Sequence, residues 1–135
     1  MPSKARVLFV CVENSNRSQM AEAFARMHGA SLVDAFSAGS KPSGRINPRA
    51  IAAMKELGYD LTTHTSKSLQ QVPDGPYDWV ITMGCGDACP WIEAAHRDDW
   101  ALPDPKELPP AEFAKVRDEI ERRVVELLQF PAAPS

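Results

Sequence analysis

Cys11, Arg17 and Ser18 fall within one short stretch, Cys11-Val12-Glu13-Asn14-Ser15-Asn16-Arg17-Ser18, and their types suggest a chemistry. A thiolate is a nucleophile, and a nearby cation or a helix N-terminus favours the charged form. A guanidinium six positions on offers a planar fork that meets two oxygens of an oxyanion at once. The stretch separates the apolar run Val7 to Val10 from the helix-like run Met20 to Met27. A strand, a tight polar loop and a helix in that order turn the backbone N–H groups of Val12, Glu13, Asn14, Ser15, Asn16 and Arg17 toward one concavity, a cradle for a tetrahedral oxyanion. Ser18 is placed to donate a hydroxyl hydrogen bond to the Cys11 thiolate, and Asn14 and Ser15 to shape the loop through side-chain bonds to the backbone. Each residue also has an ordinary alternative. A lone Cys at a strand end is commonly buried and inert, and Ser is a good first-turn residue. The Cys-x5-Arg spacing between strand and helix is what favours the chemical reading.

The elements that must position this loop can be read from periodicity. Lys4 to Val10 is aliphatic on both faces, as a central strand of a parallel sheet is. Met20, Ala23, Phe24 and Met27 form one helical stripe that Gly29 is placed to end. Ser31 to Ser37 predicts a second strand, followed by turn chemistry from Ala38 to Gly44. Asn47-Pro48 is a helix-start signal, with Ala50, Ala53, Met54 and Leu57 at helical spacing and Gly58 after them. Asp60 to Gln71 gives only a hint of a short helix at Ser68 to Gln71. Tyr77 to Met83 predicts a third strand, and Pro90 to Leu102 reads as irregular with at most a brief strand at Trp100 to Leu102. From Ala111 to Gln129 the apolar positions step by three or four, with Asp118–Arg122 and Glu119–Arg123 spaced to pair. Strands alternating with helices predict an α/β fold with a parallel sheet, whose ligands bind at the carboxyl ends of the strands. Residues 1–130 are expected to form one domain and 131–135 a disordered tail.

A second group of candidates follows the third strand. Gly84-Cys85-Gly86-Asp87-Ala88-Cys89-Pro90 carries the other two of the chain's three cysteines. An odd number of thiols in a chain that starts without a signal peptide points to reactive or metal-binding cysteines in a cytoplasmic protein. Cysteines four positions apart can reach the Cα separation of about 4.4 to 6.8 Å that a disulfide needs. With His96 they are also three possible zinc ligands, but a structural site takes four and the spacing is not that of a common zinc module, so no metal and no cofactor is expected. Leu102-Pro103-Asp104-Pro105 holds one carboxylate on a backbone stiffened on both sides. Asp104 is either a turn residue or a general acid. The net charge of −3 gives no basic field for nucleic acid, and no apolar run nears the roughly 20 residues that span a bilayer. His28 and His64 are expected at the surface or in loops, and the Trp residues in packing.

Taken together, the Cys11–Ser18 loop, the SQMAEAFAR after it, SAGS at Ser37 to Ser40, INP at Ile46 to Pro48, MGCGDACP and LPDP resemble the arsenate reductases related to low-molecular-weight protein tyrosine phosphatases. The resemblance covers nearly the whole chain. It implies a three-layer α/β fold in which a four-stranded parallel sheet has helices on both faces; a monomer is the default expectation. It further implies that Cys11 attacks arsenic, that Arg17 and the loop amides hold the oxygens of arsenate, with phosphate or sulfate as analogues, and that Ser18 supports the thiolate. Asp104 would protonate the leaving oxygen, Cys85 would attack the adduct on Cys11, and Cys89 would resolve the disulfide. The reductant implied is thioredoxin, or a small thiol with a glutaredoxin-like protein: the Cys85–Cys89 spacing is shorter than in the best-known thioredoxin-linked members, and the GCGDACP pattern also resembles enzymes that use a small external thiol. Some relatives hold potassium through an Asn, a Glu, a Ser and an Asp. Asn14, Glu22 and Ser37 match, but Lys67 stands at the Asp position, where its ammonium can take the place of the ion.

Two other functions share these residues. One is a phosphatase for tyrosine or small aryl phosphates using the same loop; the cysteine pair and Glu13 in the loop count against it, as does Lys106 in place of an aromatic ring after Asp104-Pro105. The other is a thiol-based metal or redox sensor, in which Arg17 and Asp104 would be dispensable.

Overall fold

The computed structural model describes residues 4–84 and 91–129. Four parallel strands form one sheet in the order β2-β1-β3-β4: β1 is Ala5–Cys11, β2 Val33–Gly39, β3 Tyr77–Thr82 and β4 Ala94–Asp99. β1 is interior, flanked by β2 and β3, which is why both of its faces are apolar. Because the chain steps from β1 to β2 on one side and returns to β3 on the other, the carboxyl end of β1 lies at a switch in strand order, where α/β sheets open a crevice. Cys11 is the last residue of β1.

Three α-helices follow the predicted pattern: α1 Arg17–Gly29, α2 Pro48–Lys55 and α3 Pro110–Leu127. Asn47 caps α2, accepting from the Arg49 N–H at 2.8 Å, and Gly58 beyond the helix takes the left-handed backbone conformation (φ +84°) that favours glycine. Met20, Phe24, Met54, Phe113 and Ile120 pack on the Val7–Phe9–Ile81 face of the sheet. Leu8, Val10 and Val80 on the opposite face are covered by a thinner layer that includes Val72 and Leu69, the latter from a 3-10 turn at Leu69–Gln71. The layers are therefore unequal in depth. No helix among the described residues is long and apolar enough to cross a membrane.

Several expectations are corrected. β2 runs two residues past the predicted end, because its register with β1 pairs Ala5 with Val33 and Cys11 with Gly39. Residues 94–99, expected to be irregular, form β4. The strand escapes a hydrophobicity reading because its sequence is AAHRDD and it is mostly exposed at the edge of the sheet. A further 3-10 turn, Leu61–Thr63, is anchored by buried Leu61. On α3, Glu119 pairs with Arg123 as expected, but Arg122 turns to Glu119 and Glu126 while Asp118 pairs with Arg117. Trp100 is buried, whereas Trp91 is 69% exposed with Arg97 over its ring at 4.4 Å. The predicted tail lies outside the described residues, as do Cys85 and Cys89.

Candidate active site

The loop after β1 is held by its carbonyls. The carbonyl oxygens of Cys11, Val12, Glu13 and Ser15 accept from the N–H groups of Ser40, Lys41, Ser43 and Asn47, at 2.8 to 3.3 Å. The carbonyl of Asn14 accepts from Gln19 Nε2 at 3.0 Å, and that of Asn16 from Met20 N at 3.0 Å. All six point away into the surrounding structure. Among the described residues, none of the N–H groups of residues 13–17 finds an acceptor. A loop that turns its carbonyls outward leaves its amides to face one another, and such a nest takes an anion. Asn14 adopts φ +51° to make the turn, a conformation that Asn tolerates better than most residues. Gly39 on β2 permits the close approach, since a Cβ there would lie 2.5 Å from the Val12 carbonyl oxygen and 3.0 Å from Asn14 N.

Cys11 is 3% exposed, and its Sγ lies 2.8 Å from Ser18 Oγ, as expected. Ser18 Oγ is also 2.8 Å from Asn14 Nδ2. The guanidinium of Arg17 reaches across the top of the sheet, where Nη1 donates to the carbonyls of Met83 (2.6 Å) and Leu102 (2.9 Å). One side chain thus joins the loop to the end of β3 and to the segment carrying Asp104. Both Nη1 hydrogens are used, so the Nε–Nη2 edge is the one left to meet an oxyanion.

Asp104 is exposed and caps the 3-10 turn Pro105–Glu107, accepting from Lys106 N at 3.0 Å. Its neighbourhood to the loop is fixed on both sides. Leu102 touches Arg17, and Lys106 Nζ lies 3.3 Å from Glu13 Oε2. Glu13 therefore points to the rim. A hollow of about 260 Å³ opens there, with Glu13, Ser15, Arg45 and Lys106 among its lining residues. A larger cavity of about 440 Å³ lies apart from the loop, against Ile51, Lys55, Tyr59 and Thr62; the unused amides, not cavity size, mark the site.

Beneath the loop lies a buried polar cluster that periodicity did not reveal. His64, expected near the surface, has a side chain only 4% exposed; its Nδ1 is 2.9 Å from Gln19 Oε1 and its Nε2 2.6 Å from the Tyr59 hydroxyl. Burial lowers its pKa from 6.5, against the opposing influence of the Glu22 carboxylate. Burial likewise raises the Tyr59 pKa, so its hydroxyl proton is kept. Glu22 is buried and accepts from Ser37 Oγ at 2.6 Å; Arg26 lies 2.9 Å away and Lys67 Nζ 3.7 Å. The Lys67 ammonium lies beside Glu22, one of the three residues that the resemblance matches to a potassium site. A cation does not fit there, because Glu22 already faces two cationic side chains and Asn14 Oδ1 already accepts from Lys67 N and Gln19 Nε2. Among the described residues no group of His, Cys, Asp and Glu side chains is arranged to hold a metal ion. His96 stacks on Trp79 with ring centroids 4.7 Å apart, and the two cysteines of the zinc alternative lie outside the described residues.

The structure thus brings Cys11, Arg17, Ser18 and the loop amides together and places Asp104 at the rim. Periodicity did not point to Gln19 or Tyr59 as neighbours of the loop. A polar residue on the apolar side of α1, as Gln19 is, was the available clue.

The arrangement of a Cys-x5-Arg loop at the carboxyl end of β1 in a four-stranded parallel sheet defines a class of protein. The family model for low molecular weight phosphotyrosine protein phosphatase matches residues 6–132, and the chain belongs to that family. Within it, the likeness extends to arsenate reductases. The chain is 40% identical over 126 residues to the glutaredoxin arsenate reductase of Synechocystis sp., covering 91% of this chain and 95% of that one. Among solved structures, an arsenate reductase in the phosphate binding state superposes with a TM-score of 0.87 at 37% identity, covering 95% of this chain and 99% of the other. The thioredoxin-dependent arsenate reductase of Corynebacterium glutamicum gives a TM-score of 0.75 at 35% identity, covering 93% of this chain and 61% of its own.

Proposed function

We propose that this protein reduces arsenate to arsenite through a covalent adduct on Cys11. The observation that carries the reading is the loop itself: six carbonyls turned outward, with a buried thiol at the base of the nest in contact with the Ser18 hydroxyl. In the first step the Cys11 thiolate attacks arsenic, an S–As bond forms, and an As–O bond breaks as Asp104 gives its proton to the leaving oxygen, which departs as water. The loop amides and the Nε–Nη2 edge of Arg17 hold the remaining oxygens. In the second step a thiolate, assigned to Cys85, attacks Cys11 Sγ. An S–S bond forms, the S–As bond breaks, and its electron pair stays on arsenic, which leaves as arsenite. Cys89 then attacks the Cys11–Cys85 disulfide, and an external thiol system returns two electrons to the resulting Cys85–Cys89 pair. The likeness to a glutaredoxin arsenate reductase and to a thioredoxin-dependent one supports either reductant. A cytoplasmic setting, where thiols are kept reduced, suits this chemistry.

A phosphatase reading remains in the family's name, and the same loop suits phosphate esters. The cysteines of the second loop and the arsenate reductase relatives favour reduction. The deciding experiment follows arsenite formation by the wild type and by Cys11→Ser, Cys85→Ser and Cys89→Ser, with thioredoxin or with a small thiol and glutaredoxin. Cys11→Ser is expected to lower turnover by about six orders of magnitude, as loss of a nucleophile does. Full turnover by that variant would end the proposal, and hydrolysis of an aryl phosphate without arsenate turnover would replace it with the phosphatase. Retained activity of both Cys85→Ser and Cys89→Ser with the small thiol would move the second thiol outside the chain.

A further inference from the structure

The concavity of the Cys11–Ser18 loop is built from donors. The N–H groups of residues 13–17 find no acceptor among the described residues. The Nε–Nη2 edge of Arg17 is left to meet an oxyanion, because Nη1 is spent on the carbonyls of Met83 and Leu102. Donors alone do not tell one tetrahedral anion from another. Sulfate, phosphate and arsenate are alike in shape, and every bare oxygen of each accepts a hydrogen bond. What separates them at neutral pH is hydrogen: phosphate and arsenate still carry it on oxygen, and sulfate carries none.

One atom of the loop departs from this pattern. Asn16 is 5% exposed, and its Oδ1 is buried without a hydrogen-bond partner among the described residues. The residue is the N-cap of α1, where an Asn side-chain oxygen ordinarily accepts from the N–H of the second or third helical residue. No such bond is made here. The backbone at Asn16, with φ −127° and ψ −84°, lies outside the extended conformation usual for a capping residue. Two other buried side-chain atoms lack a partner. Ser40 Oγ belongs to a hydroxyl that turns to suit its surroundings, and His96 Nε2 lies on the edge strand β4, away from the loop. Asn16 Oδ1 can only accept. An acceptor buried and unpaired is costly, and no group among the described residues supplies the hydrogen it lacks.

We propose that Asn16 Oδ1 is a specificity determinant: it accepts a hydrogen that the bound oxyanion still carries, so the loop selects arsenate and phosphate and disfavours sulfate. The inference rests on the reading of the loop as an oxyanion cradle and adds to it the class of anion that the cradle takes. Asn16 stands immediately before Arg17, at the helix end that opens on the concavity. When hydrogen arsenate binds, its bare oxygens take the amides and the Arg17 edge, and its As–OH donates to Oδ1. Every donor and acceptor then has a partner. When sulfate binds, a bare oxygen is set against Oδ1, and two acceptors with no hydrogen between them repel. A site built to bond a substrate hydroxyl strongly rejects an analogue that lacks it, because a buried polar group of the site is then left unpaired. Oδ1 does not separate arsenate from phosphate. That separation falls to the second step, since phosphate does not take two electrons from thiols.

The test uses inorganic phosphate and sulfate, anions of similar size that differ in carrying hydrogen. It needs no arsenate turnover, so its outcome is separate from that of the arsenite assay. Binding is read at pH 7 as protection of Cys11 from iodoacetamide, followed on the Cys11 peptide by mass spectrometry, in the wild type, Asn16→Ala and Asn16→Ser. The wild type should hold phosphate about tenfold more tightly than sulfate, the scale on which one unpaired buried group acts. Asn16→Ala removes the acceptor, and Asn16→Ser replaces it with a hydroxyl that donates to a bare oxygen. In both variants the preference should fall by about tenfold, chiefly because sulfate binds better. Equal affinity for the two anions in the wild type would overturn the inference. So would variants that weaken both anions alike, the pattern expected if the carboxamide presented Nδ2 or if Oδ1 bonded a resident water. Protection by neither anion would overturn it together with the cradle. Selective protection beside a failed arsenite assay would uphold it and count only against the reductase reading. Should neither variant fold, the wild-type preference still decides.

Discussion

The two sides of the Cys11–Ser18 loop differ in kind. On the inner side, Cys11, Asn14, Ser18, Gln19 and Glu22 are buried, and their side chains are tied to one another, to backbone or, for Glu22, to Ser37 and Arg26. On the outer side, Glu13 and Lys106 have side chains 38% and 51% exposed and meet at 3.3 Å, where water and salt compete with every contact. The inner side has one arrangement, because a buried polar group without a partner is costly. The outer side has many of nearly equal energy. Rigidity belongs where the thiolate must be held, and latitude where an oxyanion must enter and leave.

Perturbations on the two sides should therefore differ in size. The largest effect is expected at the wall of the inner side. Gly39→Ala sets a methyl 2.5 Å from the Val12 carbonyl oxygen, and the backbone must shift to admit it. Stability should fall by about 1–3 kcal/mol, the range for overpacked sites. Because catalytic groups tolerate little displacement, kcat/KM for arsenate should fall by about a hundredfold. Denaturant melts and arsenite assays measure the two, and a variant with wild-type values would show the loop to be less tightly fixed than its contacts imply.

An intermediate effect is expected on the outer side. Lys106→Ala frees Glu13 and loosens the Asp104 turn, which Lys106 joins to the loop. Stability should change by less than about 1 kcal/mol, as for exposed ion pairs. Arsenate turnover should fall by several-fold through the looser Asp104, a few-fold effect of the kind general-acid misplacement produces. The unpaired Glu13 carboxylate should raise KM for the anion, an increase that Glu13→Gln in the same chain reverses. Steady-state kinetics of the single and double variants separate these contributions, and a loss as large as that of Gly39→Ala would erase the distinction between the sides.

The smallest effect belongs to an exposed carboxylate far from the loop. Hydrogen bonds from Arg122, then Arg123, lower the pKa of Glu119 from 4.5 to about 2. A depressed carboxylate adds stability above its unfolded value and loses it as pH falls toward the folded one. The contribution should be complete above pH 4.5 and fade toward about 2. At a half-exposed site it is screened, so thermal melts of wild type and Glu119→Gln should differ only slightly at neutral pH and converge in acid and in high salt.

The same contrast explains what was legible in the sequence. The outer frame of the site is local in the chain: a strand, Cys-x5-Arg and a helix follow one another, and Asn47-Pro48, the α3 stripe and the strand runs each carry their own periodicity. The inner cluster is assembled from α1, the turn after α2 and the segment reaching Lys67, none adjacent in sequence. Gln19 looked like one polar residue on an amphipathic helix, and His64 like one more residue in a polar loop. Only the fold makes them neighbours. β4 was missed for a different reason, since Ala94, His96 and Asp98 alternate with Ala95, Arg97 and Asp99 without an apolar side to report the alternation.

That unremarkable composition of β4 has a consequence for how molecules of this protein behave toward one another. Among the described residues the strand pairs with β3 alone, and a strand margin without a partner is a row of backbone donors and acceptors of the sort that recruits a strand from a second molecule. Arg97, Asp98 and Asp99 are exposed charges on this strand, Arg97 over the Trp91 ring and Asp99 accepting from Thr82 Oγ1 and Gly84 N. A strand pairing at that edge would lie about 5 Å away and bring its own side chains beside these charges. The residues that concealed the strand from a search for apolar runs are of the charged kind that blunts an exposed sheet edge.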